Sequence, residues 1–326
     1  MFLPVVFKTP ETGWAGGASG AYYFKTDSVA RVSFIQALGF FTQRGQNVQA
    51  IDATVYFPRE KNIFYFHSSH IFFPDRFWGV GQKSLDEWKE TYQFEQIRIS
   101  PHLKHRFGKH FFAGLLSEFR YVYHTHYKTE GIFDSTALNG KMNYKTLGAG
   151  ISLGFDNRNS TYWPTRGCLA QVLYSGFYKG LGSDYEFSKI IVDARFFRKT
   201  FFNQVLALQL YSYATFGQTP YRDLAALGGE NNLRGMYTGR FRDKSLYSVI
   251  AEYRIPFQRK FAAVMFGGLG DVFDSPEKIN TETIKYNFGA GFRAELLPGE
   301  RLNLRIDYGY INRNNHGLYL TIGECF

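Results

Sequence analysis

At 326 residues and a net charge of +10, the chain is long enough for one large or two ordinary soluble domains, but its composition points elsewhere. Aromatics make up 19%, with 34 Phe and 23 Tyr, yet mean hydropathy is slightly negative. No apolar run reaches the roughly 18 residues that a spanning helix needs, which excludes a helical membrane protein.

In chain order, strand-like runs occupy 3–8, 14–24, 29–41, 48–57, 63–73, 90–100, 110–123, 144–156, 168–178, 185–198 and 204–216. After a long polar stretch come 246–255, 261–273, 286–296, 302–310 and 317–326. Many aromatics, many glycines and alternating apolar and polar positions suit strands with one face toward lipid and the other toward a polar lumen. The prediction is an all-β fold, a transmembrane antiparallel β-barrel of about sixteen strands. In 302–310, Leu302, Leu304, Ile306, Tyr308 and Tyr310 would face lipid, with Asn303, Arg305, Asp307 and Gly309 inward. The runs 286–296 and 147–156 alternate in the same way. A one-residue slip would put arginines into hydrocarbon, so register is strongly specified. The first run is short and carries Pro4, which weakens pairing on one side.

The longest links, 74–89, 124–143, 217–245 and 274–285, each follow an odd-numbered strand, whereas most of the others are short, 157–167 being the longest exception. Short periplasmic turns and longer outer loops are the rule for such barrels, so both chain ends fall on the periplasmic side. The link 217–245 then becomes the sixth outer loop. No internal repeat or low-complexity linker interrupts the chain, and 1–326 reads as a single barrel domain. Residues 1–4, Met-Phe-Leu-Pro, have neither the basic nor the apolar region of a signal peptide.

Within that sixth loop, 227–245 (LGGENNLRGMYTGRFRDKS) has no periodicity and is rich in Gly, Asn and Arg, and loops of this length are usually functional or disordered. Its core, Leu233-Arg234-Gly235-Met236, resembles the loop motif of the BamA/TamA family of outer-membrane barrels, also called bacterial surface antigens, commonly Val-Arg-Gly followed by Phe or Tyr. Phe77-Trp78-Gly79-Val80-Gly81 is similar to a family Phe-Tyr-Gly-Ile-Gly pattern, and Trp163-Pro164-Thr165-Arg166-Gly167 to a Phe-Pro-Thr-x-Gly turn. The similarity is firmest over 227–326.

The resemblance implies that Arg234 folds back into the lumen and pairs with strand acids. Glu252 matches the family's strand Glu, and alternation independently turns it inward with Arg254. The family's inward Asp falls at Gly268, and Asp271 lies on the opposite face, so one carboxylate anchor is expected instead of two. Gly268, Gly270 and Asp271 are the secondary anchor candidates, with inward glycine making room for the loop. Phe326 resembles the terminal assembly signal of outer-membrane barrels. Leu318, Leu320 and Ile322 supply the lipid face of the last strand, Val5 and Val6 stand across the seam from it, and Glu324 is expected at an exposed rim. POTRA domains, which precede the barrel in most of the family, have no counterpart in 1–326, so a POTRA-less member is implied.

By the same resemblance, the chain acts at the bacterial outer membrane in inserting or translocating proteins or lipids through a weakly paired seam between first and last strands. Its partners would be outer-membrane lipids and, in that role, client outer-membrane proteins or a periplasmic partner. The alternative is a stand-alone pore or scaffold barrel without insertase activity. The basic residues form no single stripe, so nucleic acid is not an expected partner. Cys168 and Cys325 are too few for a disulfide framework and read as small residues on strand faces.

Catalysis and metal binding are not expected. No Gly-x-Ser-x-Gly elbow is present, and Ser69 and His67 share a face as alternating strand residues commonly do. His67 and His70 project to opposite faces, and none of the His pairs has a metal-ligand spacing. Gly267-Gly268-Leu269-Gly270 opens no helix and is no phosphate loop, so no cofactor is expected. The lumenal charges Lys189, Asp193, Arg195, Glu252, Arg254, Arg293, Glu295, Arg305 and Asp307 read first as a mutually satisfying network and second as a lining that selects solutes.

Overall fold

A computed structural model describes residues 2–28, 30–258, 260–297, 302–313 and 315–326, without the side chains of Leu3 and Leu297. The first eleven strands are β1 (Phe2–Thr9), β2 (Gly13–Phe24), β3 (Ser33–Thr42), β4 (Asn47–Tyr56), β5 (Asn62–Phe77), β6 (Glu90–Phe107), β7 (Phe111–His126), β8 (Tyr144–Asp156), β9 (Gly167–Phe177), β10 (Phe187–Lys199) and β11 (Val205–Gly217). The short strands β12 (Ala225–Leu227) and β13 (Phe241–Asp243) pair with each other inside the long loop. The wall resumes with β14 (Ser245–Gln258), β15 (Phe261–Phe273), β16 (Lys285–Leu297), β17 (Leu302–Asn312) and β18 (Asn315–Ile322). Sixteen strands close into one antiparallel barrel, each beside its neighbour in sequence, with β11 next to β14 and β18 next to β1.

Side-chain alternation sets the two faces. Phe288 on β16, Ile306 and Tyr308 on β17, and Ile151 and Leu153 on β8 are exposed, while the intervening Asn287, Asn303, Arg305, Asp307 and Ser152 are buried. A barrel in lipid reverses the usual layering in this way, with the apolar belt outside and the hydrogen-bonded polar groups inside. Lumenal aromatic and aliphatic clusters fill the space between the wall and the long loop, for example Leu227, Leu233, Met236, Leu246 and Val272.

Several expected strand limits shift. The expected start of the third strand at Val29 lies outside the described residues, as does Met1; the described strand begins at Ser33. Strands β5 and β6 run on to Phe77 and Phe107, past Pro74 and Pro101, because pairing continues on both sides of each proline (Pro74 with Gln93, Pro101 with Phe66) and only one ladder donor is lost at each. The last strand stops at Ile322, not at Phe326. Gly323 adopts φ +94° and donates its N–H to Asn303 O at 2.8 Å, which turns the chain into the lumen. Glu324 is therefore not at an exposed rim: its side chain is buried, and its carboxylate accepts from Arg293 Nε at 2.8 Å and Asn303 Nδ2 at 2.9 Å.

That inward turn leaves the closing seam thin. Strand β1 registers with β2 at eight positions from Phe2 to Thr9, but with β18, among the described residues, only at Lys8 opposite Leu320.

The two-faced wall carries a direct test. Leu210 is mid-strand on β11 and about half exposed on the outer surface. Leu210→Arg should destabilise the barrel in bilayers by roughly 2–4 kcal/mol, read from reversible denaturant unfolding in lipid vesicles. A cost near zero would place that face in water.

Candidate functional site

The loop joining β11 to β14 folds into the lumen, and its tip is fixed by one side chain. Arg234 is fully buried and donates from Nη2 to Glu252 Oε1 and from Nη1 to Asp307 Oδ2, both at 2.6 Å. Its guanidinium lies 3.5 Å from the Phe266 ring centroid, a stacked cation–π contact that covers the charge on one face. Glu252 comes from β14 and Asp307 from β17, so one planar fork ties two separate parts of the wall to the loop.

The second carboxylate corrects the expectation of a single anchor. Neither Gly268 nor Asp271 supplies it; Asp307 does, reaching the guanidinium from two strands further on. A Cβ at Gly268 would lie 3.1 Å from Leu233 Cδ2, and one at Gly270 3.2 Å from Leu227 Cδ1. Both positions thus give space to loop side chains and anchor no charge. Asp271 is buried near the loop-bearing end and accepts from Lys285 Nζ and Thr283 Oγ1, each at 2.5 Å. It secures the link after β15, away from Arg234.

Further pairs extend from the clamp. Arg254 donates to Glu252 Oε2 from Nε and Nη2, at 3.1 and 3.0 Å. Arg293 donates from Nη1 to Asp307 Oδ1 at 2.6 Å and from Nε to Glu324. Arg305 reaches Glu230 of the loop at 2.7 Å and Thr321 at 2.8 Å. Glu252 thereby serves two guanidiniums and Asp307 three, Arg305 Nε standing 3.8 Å from it, which offsets the cost of removing so many charges from water.

Backbone contact is equally close. Gly235 adopts φ +103°, and its N–H donates to the Tyr319 hydroxyl at 2.9 Å, while Asn287 Nδ2 donates to Arg234 O at 2.9 Å. A Cβ on Gly309 would sit 2.5 Å from Arg234 O, and one on Gly235 2.8 Å from Gly309 O. Two glycines facing each other are the only residues that let loop and wall backbones approach this far. Met236 is buried in the apolar cluster under the loop.

The two other motifs converge on the same loop. Trp78 packs edge-on to Tyr237, with ring centroids 5.2 Å apart, and Gly81 N–H donates to Arg242 O at 2.7 Å. Tyr237 donates its hydroxyl to Asp75 at 3.0 Å, and burial together with that carboxylate pushes the phenol's pKa up. Arg240 grips Asp86 and Ser84 of the link after β5. At the other end, Trp163 stacks beneath Arg254, which also donates to Pro164 O at 3.3 Å and Phe326 O at 3.2 Å. In the turn between β1 and β2, Glu11 accepts from Thr238 N–H and Oγ, and burial raises its pKa against the pull of those two donors. Spacing identifies none of these partners; Glu252 alone is marked, by the family resemblance together with strand alternation.

Of the remaining sequence candidates, Val6, Leu318 and Ile322 are exposed on the outer face and Val5 and Leu320 half-buried beside the seam, while Phe326 is buried against Phe197 and Ile250. His67 Nε2 lies 3.1 Å from Ser69 Oγ and Nδ1 2.7 Å from Asp52. Ser69 is mid-sheet, paired with Ala50 on one side and Arg98 on the other, so its surrounding amides are committed to the ladder and make no oxyanion cradle. Among the described residues, no group of three or more metal-ligating side chains occurs.

These features define a class: a sixteen-stranded membrane β-barrel whose lumen holds an arginine-bearing loop clamped to the inner wall. The sequence matches the Omp85 superfamily domain over residues 38–326, and the chain belongs to that superfamily. BamA from Haemophilus ducreyi lacking POTRA domains 1-3 is similar in structure, with TM-score 0.67 and 12% identity over 99% of this chain and 70% of that one. CdiB from Acinetobacter baumannii is similar with TM-score 0.62 and 11% identity over 99% and 59% of the two chains. At these identities the likeness is one of fold. No curated protein matches the sequence.

Removing the clamp should release the loop. Arg234→Ala leaves two buried carboxylates short of a partner and should cost roughly 3–5 kcal/mol. Its signature is trypsin cleavage at Arg240 and Arg242, which are buried in the intact barrel; continued protection would refute the clamp. Gly309→Ala should also expose the loop to trypsin, with every charge retained and a smaller cost of roughly 1–3 kcal/mol.

Proposed function

We propose that this barrel acts at the bacterial outer membrane in inserting or translocating proteins, through lateral opening of the seam between β1 and β18. The observation that carries this reading is the seam itself, registered at Lys8 and Leu320 alone among the described residues. Beyond that pair β18 ends, its continuation turns into the lumen, and the outer edge of β1 from Phe2 to Val6 is left with β2 as its registered neighbour. A strand edge with free donors and acceptors is a template for adding an incoming strand. Pro4 removes one donor from β1 and weakens any resident pairing there. Membership of the Omp85 superfamily and the fold shared with BamA and CdiB support the same role. Client outer-membrane proteins and a periplasmic delivery partner are the partners this role requires, with both chain ends on the periplasmic side.

A second reading, a pore or scaffold barrel without insertase activity, draws on the chambers that remain in the lumen beside the folded loop. One experiment separates the two. Continuing the Lys8–Leu320 register by two residues brings Val6 opposite Ile322, so Val6→Cys/Ile322→Cys in a Cys168→Ser/Cys325→Ser background should zip the open half of the seam. Insertion of an unfolded client barrel into proteoliposomes should stop when the disulfide forms and resume on reduction. Undiminished insertion by the locked barrel would exclude a seam mechanism and favour the second reading.

A further inference from the structure

A chamber of about 470 Å³ lies between the loop and the inner faces of β6, β7, β10 and β11, bordered by Leu246 and Cys325 on the side of the clamp. Six cations line it, Arg98, Arg120, Lys189, Arg195, Arg222 and Arg242, and no carboxylate does. The acids that pair with them stand behind that lining. Lys189 meets Glu118 at 2.6 Å, Arg195 meets Asp193 at 2.7 Å, and Arg120 meets Asp223 at 3.2 Å. Arg98 shares Glu118 at 3.5 Å, and Arg222 and Arg242 share Asp75 at 3.8 and 4.0 Å. Six cations against four carboxylates leave an excess of two positive charges. The excess continues toward the opposite end, where an adjoining chamber shares Arg195 and adds Arg31, Lys104, Arg106 and Arg158 with Asp156 as its one lining carboxylate.

A second observation is independent of the charge count. The Nε atoms of Arg98 and Arg242 are buried and have no hydrogen-bond partner among the described residues, and Arg242 as a whole is only 7% exposed. A buried guanidinium N–H without an acceptor is costly, and two of them on the lining of one chamber are donors suited to an oxyanion. Chloride offers one charge and no directed acceptors. A phosphoryl group offers two charges and three oxygens, which matches both the excess and the forked donors.

We propose that this chamber is an anion site for a phosphoryl group, free or carried on a lipid headgroup, held chiefly by Arg98, Lys189, Arg195 and Arg242. It is separate from the loop clamp and does not require the seam to open.

The test uses the folded full chain in a phosphate-free detergent at low salt, with inorganic pyrophosphate as the probe and titration calorimetry as the readout. Wild type should bind saturably, and more weakly as salt rises. Arg98→Gln/Arg242→Gln should weaken binding by roughly tenfold or more, the loss expected for two charge-assisted donors. Should that variant fail to fold, Arg195→Gln leaves Asp193 bonded to Gln209 and should still weaken binding several-fold. Folding is verified independently by heat-modifiable gel migration. Competition with short-chain phosphatidic acid identifies the source: stronger displacement than by free phosphate assigns a headgroup, and weaker displacement a free anion. No saturable binding by wild type, or undiminished binding by folded variants, would overturn the proposal.

Discussion

Everything inside this barrel depends on one guanidinium placed between two carboxylates in a dry cavity. A buried charge is tolerated only when its partners are close, well oriented and themselves satisfied. Here the requirement propagates outward: Glu324, Arg293, Asp307, Arg234, Glu252 and Arg254 alternate in sign along one row of ion pairs. Three acids and three cations leave the row neutral. Removing an interior member takes one partner from each of the two beside it, so the row behaves as a coupled unit and not as five separate bonds.

That row also links two features that are far apart in sequence. At its ends are Glu324, beyond β18, and Arg254, which holds the Phe326 carbonyl. The interactions that hold the loop therefore also hold the segment after Ile322 inside the lumen. A chain drawn inward at Gly323 cannot continue the ladder along β1, so the thin seam follows from how the lumen is neutralised. Loop anchorage and seam pairing are two outcomes of one electrostatic constraint.

Much of the wall was legible because a strand in lipid has a strict period of two, and an Arg or Asp on the wrong face is prohibitively costly. Sixteen strands and the inward set Asn303, Arg305, Asp307 and Gly309 follow from that alone. The single anchor Glu252 was legible because the motif resemblance and alternation fell on the same residue. Alternation turns Asp307 inward but does not pair it with Arg234, since 73 residues separate them and the family's inward Asp falls at Gly268. What decides the matter is curvature: β17 comes round to face the loop tip, and a period-two reading carries no information about which wall strands face one another. The inward turn of 323–326 was missed for a related reason. Lipid-face alternation in Leu318, Leu320 and Ile322 could be extended on paper, and only Gly323 hinted at a positive φ.

The two sides of the lumen are neutralised differently, and the difference follows from how closely the loop packs. Against β14 to β18, Gly235 meets Gly309, and Leu233 and Leu227 fill the space over Gly268 and Gly270. The packing is tight there, and each guanidinium of the clamp stands against at least one carboxylate. Against β6, β7, β10 and β11 the loop stands off and a chamber remains, lined by cations in excess over carboxylates. Wall glycines thus do more than admit the loop: by setting how close it comes, they divide the lumen into a tightly packed half where charges are paired and a looser half that carries an excess of cations. A chain with +10 overall can place part of that surplus in the second half without destabilising the first.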